Sequence, residues 1–98
     1  TPAELNAALA AKDFLLVNVH IPYEGEIPGT DSHIPFDDIP ALTDYLGTDL
    51  EVAAVLYCKS DFMSTTAGAE LVALGYSSIR YLEGGMTAWE AAGYPLTP

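Results

Sequence analysis

The stretch VLYCKSDFMSTTAGAELV, Val55 to Val72, passes from an apolar run into a helical pattern, and the chain's only cysteine, Cys58, stands at the change. Upstream, VAAVLY (Val52 to Tyr57) is uncharged and suits a strand buried on both faces. Downstream, Ser64 is positioned to cap a helix running to Leu74, with Ala67, Leu71 and Leu74 on one face and Gly75 as its stop. Strand, tight connection and helix together form half of a βαβ unit.

The same alternation extends in both directions. TPAELNAALAAK opens with Thr1, Pro2 and Glu4 spaced as a capping box, predicting a helix over Pro2 to Ala11. FLLVNV, Phe14 to Val19, reads as a second buried strand. HIPYEGEIPGTDSHIPFDDIP holds four prolines and reads as a long ordered loop with a short strand over Ser32 to Ile34. Ala41 to Leu46 is a short helix ended by Gly47, and Ser78 to Leu82 is a further strand. It leads through Glu83, Gly84 and Gly85 into a final helix, Met86 to Ala92, which Gly93 stops. Strands alternating with helices require parallel pairing, with helices on both faces of the sheet. In such sheets ligands sit beyond the carboxyl ends of the strands. Cys58 and His20 both follow strands directly, so parallel pairing sets them on one edge.

Ninety-eight residues, 50% of them hydrophobic, suffice for one domain with one core. The apolar runs are far shorter than the roughly 20 residues that span a bilayer, so no membrane contact is expected. The chain begins at Thr1 rather than Met, so a processed or excised piece is expected. No compartment is fixed; the cytoplasm is the default expectation, and export stays open if a leader was removed. Three basic residues, Lys12, Lys59 and Arg80, face fourteen acidic ones, for a net charge of −11. That field repels nucleic acid and anionic lipid. It serves solubility or suits a salty environment, and it opposes small anions unless local dipoles prevail within a screening length of about 8 Å. A lone cysteine forms no internal disulfide, and neither histidine stands at metal-ligand spacing from it, so no metal is expected. No pattern sets an oligomeric state.

Cys58, Lys59, Ser60, Asp61, Phe62, Met63 and Ser64 span the connection. A turn of this kind can gather backbone N–H groups, and a helix N-terminus adds about half a positive charge at the same place. In such settings cysteine pKa values drop from about 8.5 into roughly the 3.5 to 7.5 range, giving a nucleophile at neutral pH. The alternative is a structural cysteine, since free cysteine is among the most buried residue types and a strand end is an ordinary place for it. Lys59 either supports a thiolate or points to solvent. Spacing alone leaves both pairs of readings open.

The order of these pieces, FLLVNVH with the following IPGT, then LYCKSDFMS, TTAGAELVALGY and YLEGGMTAWEAAGYPL, resembles the rhodanese-like domain family over nearly the whole chain. The resemblance implies a three-layer α/β fold with a mostly parallel sheet of about five strands, its short first strand missing ahead of Thr1 or very short. It also implies that Cys58 carries a sulfane sulfur. The donor would be thiosulfate or a persulfide, the acceptor cyanide, a thiol or a sulfur-carrying protein, and no cofactor is called for. The amides of Lys59 to Ser64 would stabilise the persulfide. A related branch of the fold is a phosphatase with a cysteine, five residues and an arginine; here Ser64 holds the arginine's place, so phosphate has no guanidinium clamp.

Several positions depart from the family. Asp61 and Met63 stand where active members commonly carry glycine and arginine. A carboxylate facing the cradle would repel an anion and disfavour a thiolate; one facing outward would do neither. Phe62 and Met63 make the rim apolar, so a persulfide, a thiol of low charge or a protein-borne sulfur is expected before a dianion. The strand that usually ends Asp, aliphatic, Arg here ends Asn18, Val19, His20. His20 is either a cationic neighbour of Cys58 or a hydrogen-bonding cap of the proline loop. The usual glycine and histidine before isoleucine and proline become Gly25 and Glu26. His33 has no evident partner, Arg80 is expected to pair with one of the acids, and Trp89 is expected in the core. The competing function is a non-catalytic interaction module whose loop has drifted and whose acidic surface docks a basic partner.

Overall fold

The computed structural model describes residues 1–98. Along the chain run helix α1 (Pro2–Ala8) with a 3-10 turn (Leu9–Ala11), strand β1 (Leu15–Asn18), strand β2 (Ser32–His33), helix α2 (Ile39–Leu46) and strand β3 (Ala54–Tyr57). Helix α3 (Phe62–Ala73), strand β4 (Ile79–Tyr81) and helix α4 (Gly85–Ala91) follow. All four strands are parallel, in the order β2-β1-β3-β4. The sheet thus has four strands where about five were expected; the outer edge of β4 is open, and the one further pairing is an isolated antiparallel bridge between Glu26 and Thr97.

Alternation along the two central strands sorts the side chains into two cores. Val17 and Val19 of the β1 segment, with Ala54, Leu56 and Cys58 of the β3 segment, pack with Leu42 and Leu46 of α2 and Ala67 and Leu71 of α3. Leu16 and Tyr57 face the other way, onto Leu5 of α1 and Met86 and Trp89 of α4. A period of two on the strands and of 3.6 on the helices makes both layers. This is the three-layer arrangement, with α2 and α3 on one face and α1 and α4 on the other.

Local chemistry sets the element ends. The capping box of Thr1 and Glu4 forms as expected. Asp38 Oδ1 accepts the Ala41 N–H at 3.2 Å, so α2 starts at Ile39, ahead of the expected Ala41. Ser64 does not cap α3: the helix begins at Phe62 with Asp61 as N-cap, and no side-chain oxygen accepts from its first turn. The Ser64 hydroxyl instead donates back to the Asp61 carbonyl at 3.1 Å. No helix is long and apolar enough to cross a membrane.

Register then decides what meets at the carboxyl edge. Asn18 pairs with Tyr57 and with His33, so the residues just past β1, β2 and β3 leave the sheet at one level. The Val19 N–H donates to the Tyr57 carbonyl, and the Phe36 N–H donates to the Val19 carbonyl. Cys58, His20 and the Ile34 to Phe36 segment are therefore neighbours on that edge.

Candidate active site

Cys58 is 2% exposed and caps the α2/α3 core. Its thiol lies 3.6 Å from Ser64 Oγ, to which it donates. The loop that follows is held from outside by α4. The carbonyls of Cys58 and Lys59 accept the N–H groups of Met86 and Thr87 at 2.9 and 3.0 Å. A Cβ on Gly85 would fall 2.3 Å from the Cys58 carbonyl oxygen and 2.6 Å from that of Ser60, so only glycine lets α4 approach this closely. In a planar trans peptide the carbonyl points opposite to the next N–H. Carbonyls directed at α4 therefore turn the amides of Lys59, Ser60 and Asp61 away from it.

None of the six N–H groups from Lys59 to Ser64 donates to a protein acceptor. Three of them belong to the first turn of a twelve-residue helix, where N–H groups have no intrahelical acceptor, and the other three precede it in the turn that follows the cysteine. The arrangement can hold an anionic atom, the positive end of α3 adding to the amide dipoles.

The side chains of the loop divide. Asp61 is exposed, and its Oδ1 accepts the Gly84 N–H at 2.9 Å. The carboxylate thus ties the loop to the turn before α4 and does not lie over the cysteine. Ser60 is exposed. Phe62 is 70% exposed, with its ring edge-on to Phe36 at 6.2 Å between centroids. Met63 is half-buried, and its sulfur accepts the Ile21 N–H at 3.5 Å. Lys59 reaches out of the loop to Glu24, with Nζ 3.5 Å from Oε1.

His20 is buried and turns to the same carboxylate, Nε2 lying 2.8 Å from Glu24 Oε1. Its N–H donates to Asn18 Oδ1, while Asn18 Nδ2 donates to the Gly25 carbonyl. His20 fastens the proline loop, and no hydrogen bond joins it to Cys58. The His20 hydrogen bond and the Lys59 charge together hold the Glu24 carboxyl below its ordinary range. Two expectations are corrected. His33 has a partner, its Nε2 donating to the His20 carbonyl at 2.6 Å. Arg80, exposed on β4, forms no ion pair. Trp89 is core as expected, with Nε1 donating to the Pro95 carbonyl at 2.8 Å.

Glu24 and Phe36 enter the site unannounced: Phe36 meets Phe62, and Glu24 meets Lys59, only through the tertiary fold, although Glu24 also pairs with His20 four residues before it. Gly84 and Gly85 were visible as a pair leading into a helix, the mark of a turn, but their approach to the cysteine loop is seen only in the structure.

A family model described as Rhodanese-like domain matches residues 1–92. A sulfurtransferase from Allochromatium vinosum is 35% identical over 88 residues, which span 87% of this chain and 79% of that protein. Among solved structures, a rhodanese-related protein from Thermoplasma volcanium matches with a TM-score of 0.79 at 26% identity, over 98% of this chain and 93% of that one. A rhodanese-like domain protein from Staphylococcus aureus matches with a TM-score of 0.79 at 27% identity, over 99% and 95%. The chain belongs to the rhodanese-like domain family.

Proposed function

We propose that this chain is a sulfurtransferase or persulfide carrier in which Cys58 takes up a sulfane sulfur and passes it to a thiophilic acceptor. The observation that carries the reading is the run of six amides without protein acceptors that directly follows Cys58. The family and the sulfurtransferase relative support sulfur transfer as the class of chemistry.

In the first half-reaction the Cys58 thiolate attacks the outer sulfur of the donor. The new Sγ–S bond forms as the donor's own bond to that sulfur breaks, and the electron pair leaves with the donor remnant, sulfite from thiosulfate or a thiolate from a persulfide. The terminal persulfide sulfur then sits among the free amides, which favour its anionic form as an oxyanion hole favours developing charge. In the second half-reaction cyanide or a thiol attacks that terminal sulfur and the Cys58 thiolate leaves. Ser64, within reach of the thiol, positions it.

The burial of Cys58 favours a second reading, a non-catalytic interaction module in which the cysteine only packs. Intact mass separates the two. After incubation with thiosulfate or a polysulfide, the protein should gain one sulfur, about 32 Da, which cyanide or a reducing thiol removes and Cys58→Ser abolishes. No adduct with any donor would sink the carrier reading.

A further inference from the structure

One side of the Cys58 loop is apolar, formed by Phe62 and Met63, and the other is charged. Lys59 is the only basic residue in the loop, and its Nζ lies 3.5 Å from Glu24 Oε1. Behind that pair, a small cavity of about 180 Å³ is lined by Glu24, Lys59, Thr87 and Glu90 among others, so a second carboxylate shares the space. On the opposite lip Phe62 presents 70% of its surface to solvent, steadied by Phe36, and Met63 is held in place through its sulfur. The net charge of −11 adds a repulsive long-range field.

We propose that this mouth selects an organic persulfide, R–S–SH or its anion, whose R group is apolar and carries no charge, as sulfur donor. Glu24 masks the loop's cation, and Phe62 with Met63 provides the surface on which R rests. The proposal rests on Cys58 acting as the sulfur carrier. The amides serve the one transferred sulfur that develops negative charge, whereas a second anionic group on the donor finds no cation. An apolar R group gains by covering the exposed ring, because aromatic surface removed from water is favourable and its edge and face geometry adds to the contact. The step balances without an external oxidant. The Cys58 thiolate bonds to the terminal sulfur, the donor's S–S bond breaks with its electron pair on R–S⁻, and that thiolate takes a proton from the persulfide or from water.

The test uses a matched donor pair, benzyl hydropersulfide and 4-carboxybenzyl hydropersulfide, which share their sulfur chemistry and differ in one remote carboxylate. The rate of mass gain at Cys58 is measured for each and divided by its rate with N-acetylcysteine, which removes intrinsic reactivity. The native chain should favour the neutral donor by about tenfold at low salt, the scale of one unfavourable charge at a charge-selective mouth. Part of the preference should persist in about 1 M salt, where screening falls to about 3 Å and the long-range field is silenced. Met63→Arg and Glu24→Gln should each cut the preference by about threefold or more, by supplying or unmasking a cation. Phe62→Ala should slow the neutral donor more than the carboxylated one.

A native ratio near one, or one favouring the carboxylated donor, would overturn the proposal while leaving the carrier reading intact. So would a preference that survives Met63→Arg unaltered; if that variant does not fold, an unaltered preference in Glu24→Gln has the same force. Sulfur uptake from neither donor would instead remove the carrier reading, and the donor proposal with it.

Discussion

Asp61 is the residue whose position changes the chemistry most. A carboxylate in the middle of the cysteine loop reads as a defect for holding an anion until its oxygen is seen on the Gly84 N–H at 2.9 Å. It then becomes a tie between the cysteine loop and α4. Asp61→Ala should cost about 1 kcal/mol, the scale of an ordinary hydrogen bond, because exposure to water removes the extra strength of a charged acceptor. Asp61→Asn, which keeps a carbonyl oxygen, should recover most of that; urea midpoints of the three proteins check it. Asp31 offers a pH-dependent counterpart. Its Oδ2 accepts the Leu16 N–H at 2.8 Å and pairs with Lys12, and although burial pushes its carboxyl up, those two contacts win and hold it below 3.8. The unfolded chain therefore binds the proton more readily than the folded one. The stabilisation is complete well above pH 3.8 and fades as pH falls through the depressed folded value. The stability gap between the native chain and Asp31→Asn, about 1–2 kcal/mol at neutral pH, should shrink on acidification below that range, as followed by urea unfolding.

At the scale of elements, the contact between α4 and the loop is the one to probe. Gly85 has φ +56, and its missing Cβ would strike backbone, which does not swing aside. Gly85→Ala should cost about 2–4 kcal/mol and slow sulfur uptake at Cys58 together, because the loop carbonyls lose their donors. Gly68→Ala meets only the Tyr81 ring, a flexible and 37% exposed side chain, and should cost nearer 1 kcal/mol with the site kept; melting temperatures of both variants test the contrast. The elements themselves were legible. Uncharged runs such as VAAVLY and the helix face of Ala67 and Leu71 gave strand, helix and parallel pairing, because periodicity records burial directly. The start of α3 was misplaced because a serine offers a capping oxygen from several positions, and the choice among them depends on where the loop carbonyls are bound. The contacts of Glu24 with Lys59 and of Phe36 with Phe62 left no mark, since each joins residues more than twenty positions apart.

For the whole molecule the dominant quantity is charge. Fourteen acids against three bases leave the folded chain repelling itself at neutral pH. Raising salt from about 0.01 M to 0.15 M, which shortens the screening length from about 30 to 8 Å, should raise the melting temperature. A rise of about 2–5 °C corresponds to relief of roughly half to one kcal/mol for a domain of this size, and differential scanning calorimetry reads it. A flat response would mean that the acids are spaced widely enough to ignore one another.

The hydrogen bonds from Met86 and Thr87 to the loop also make the shape of the cysteine turn depend on a segment that lies beyond the next strand. A chain interrupted between α3 and Gly84 would keep β3 and Cys58 but lose both donors. The loop carbonyls would then have nothing to hold them against α4. The cysteine's surroundings are therefore assembled from two distant parts of the chain and are complete only once α4 has docked.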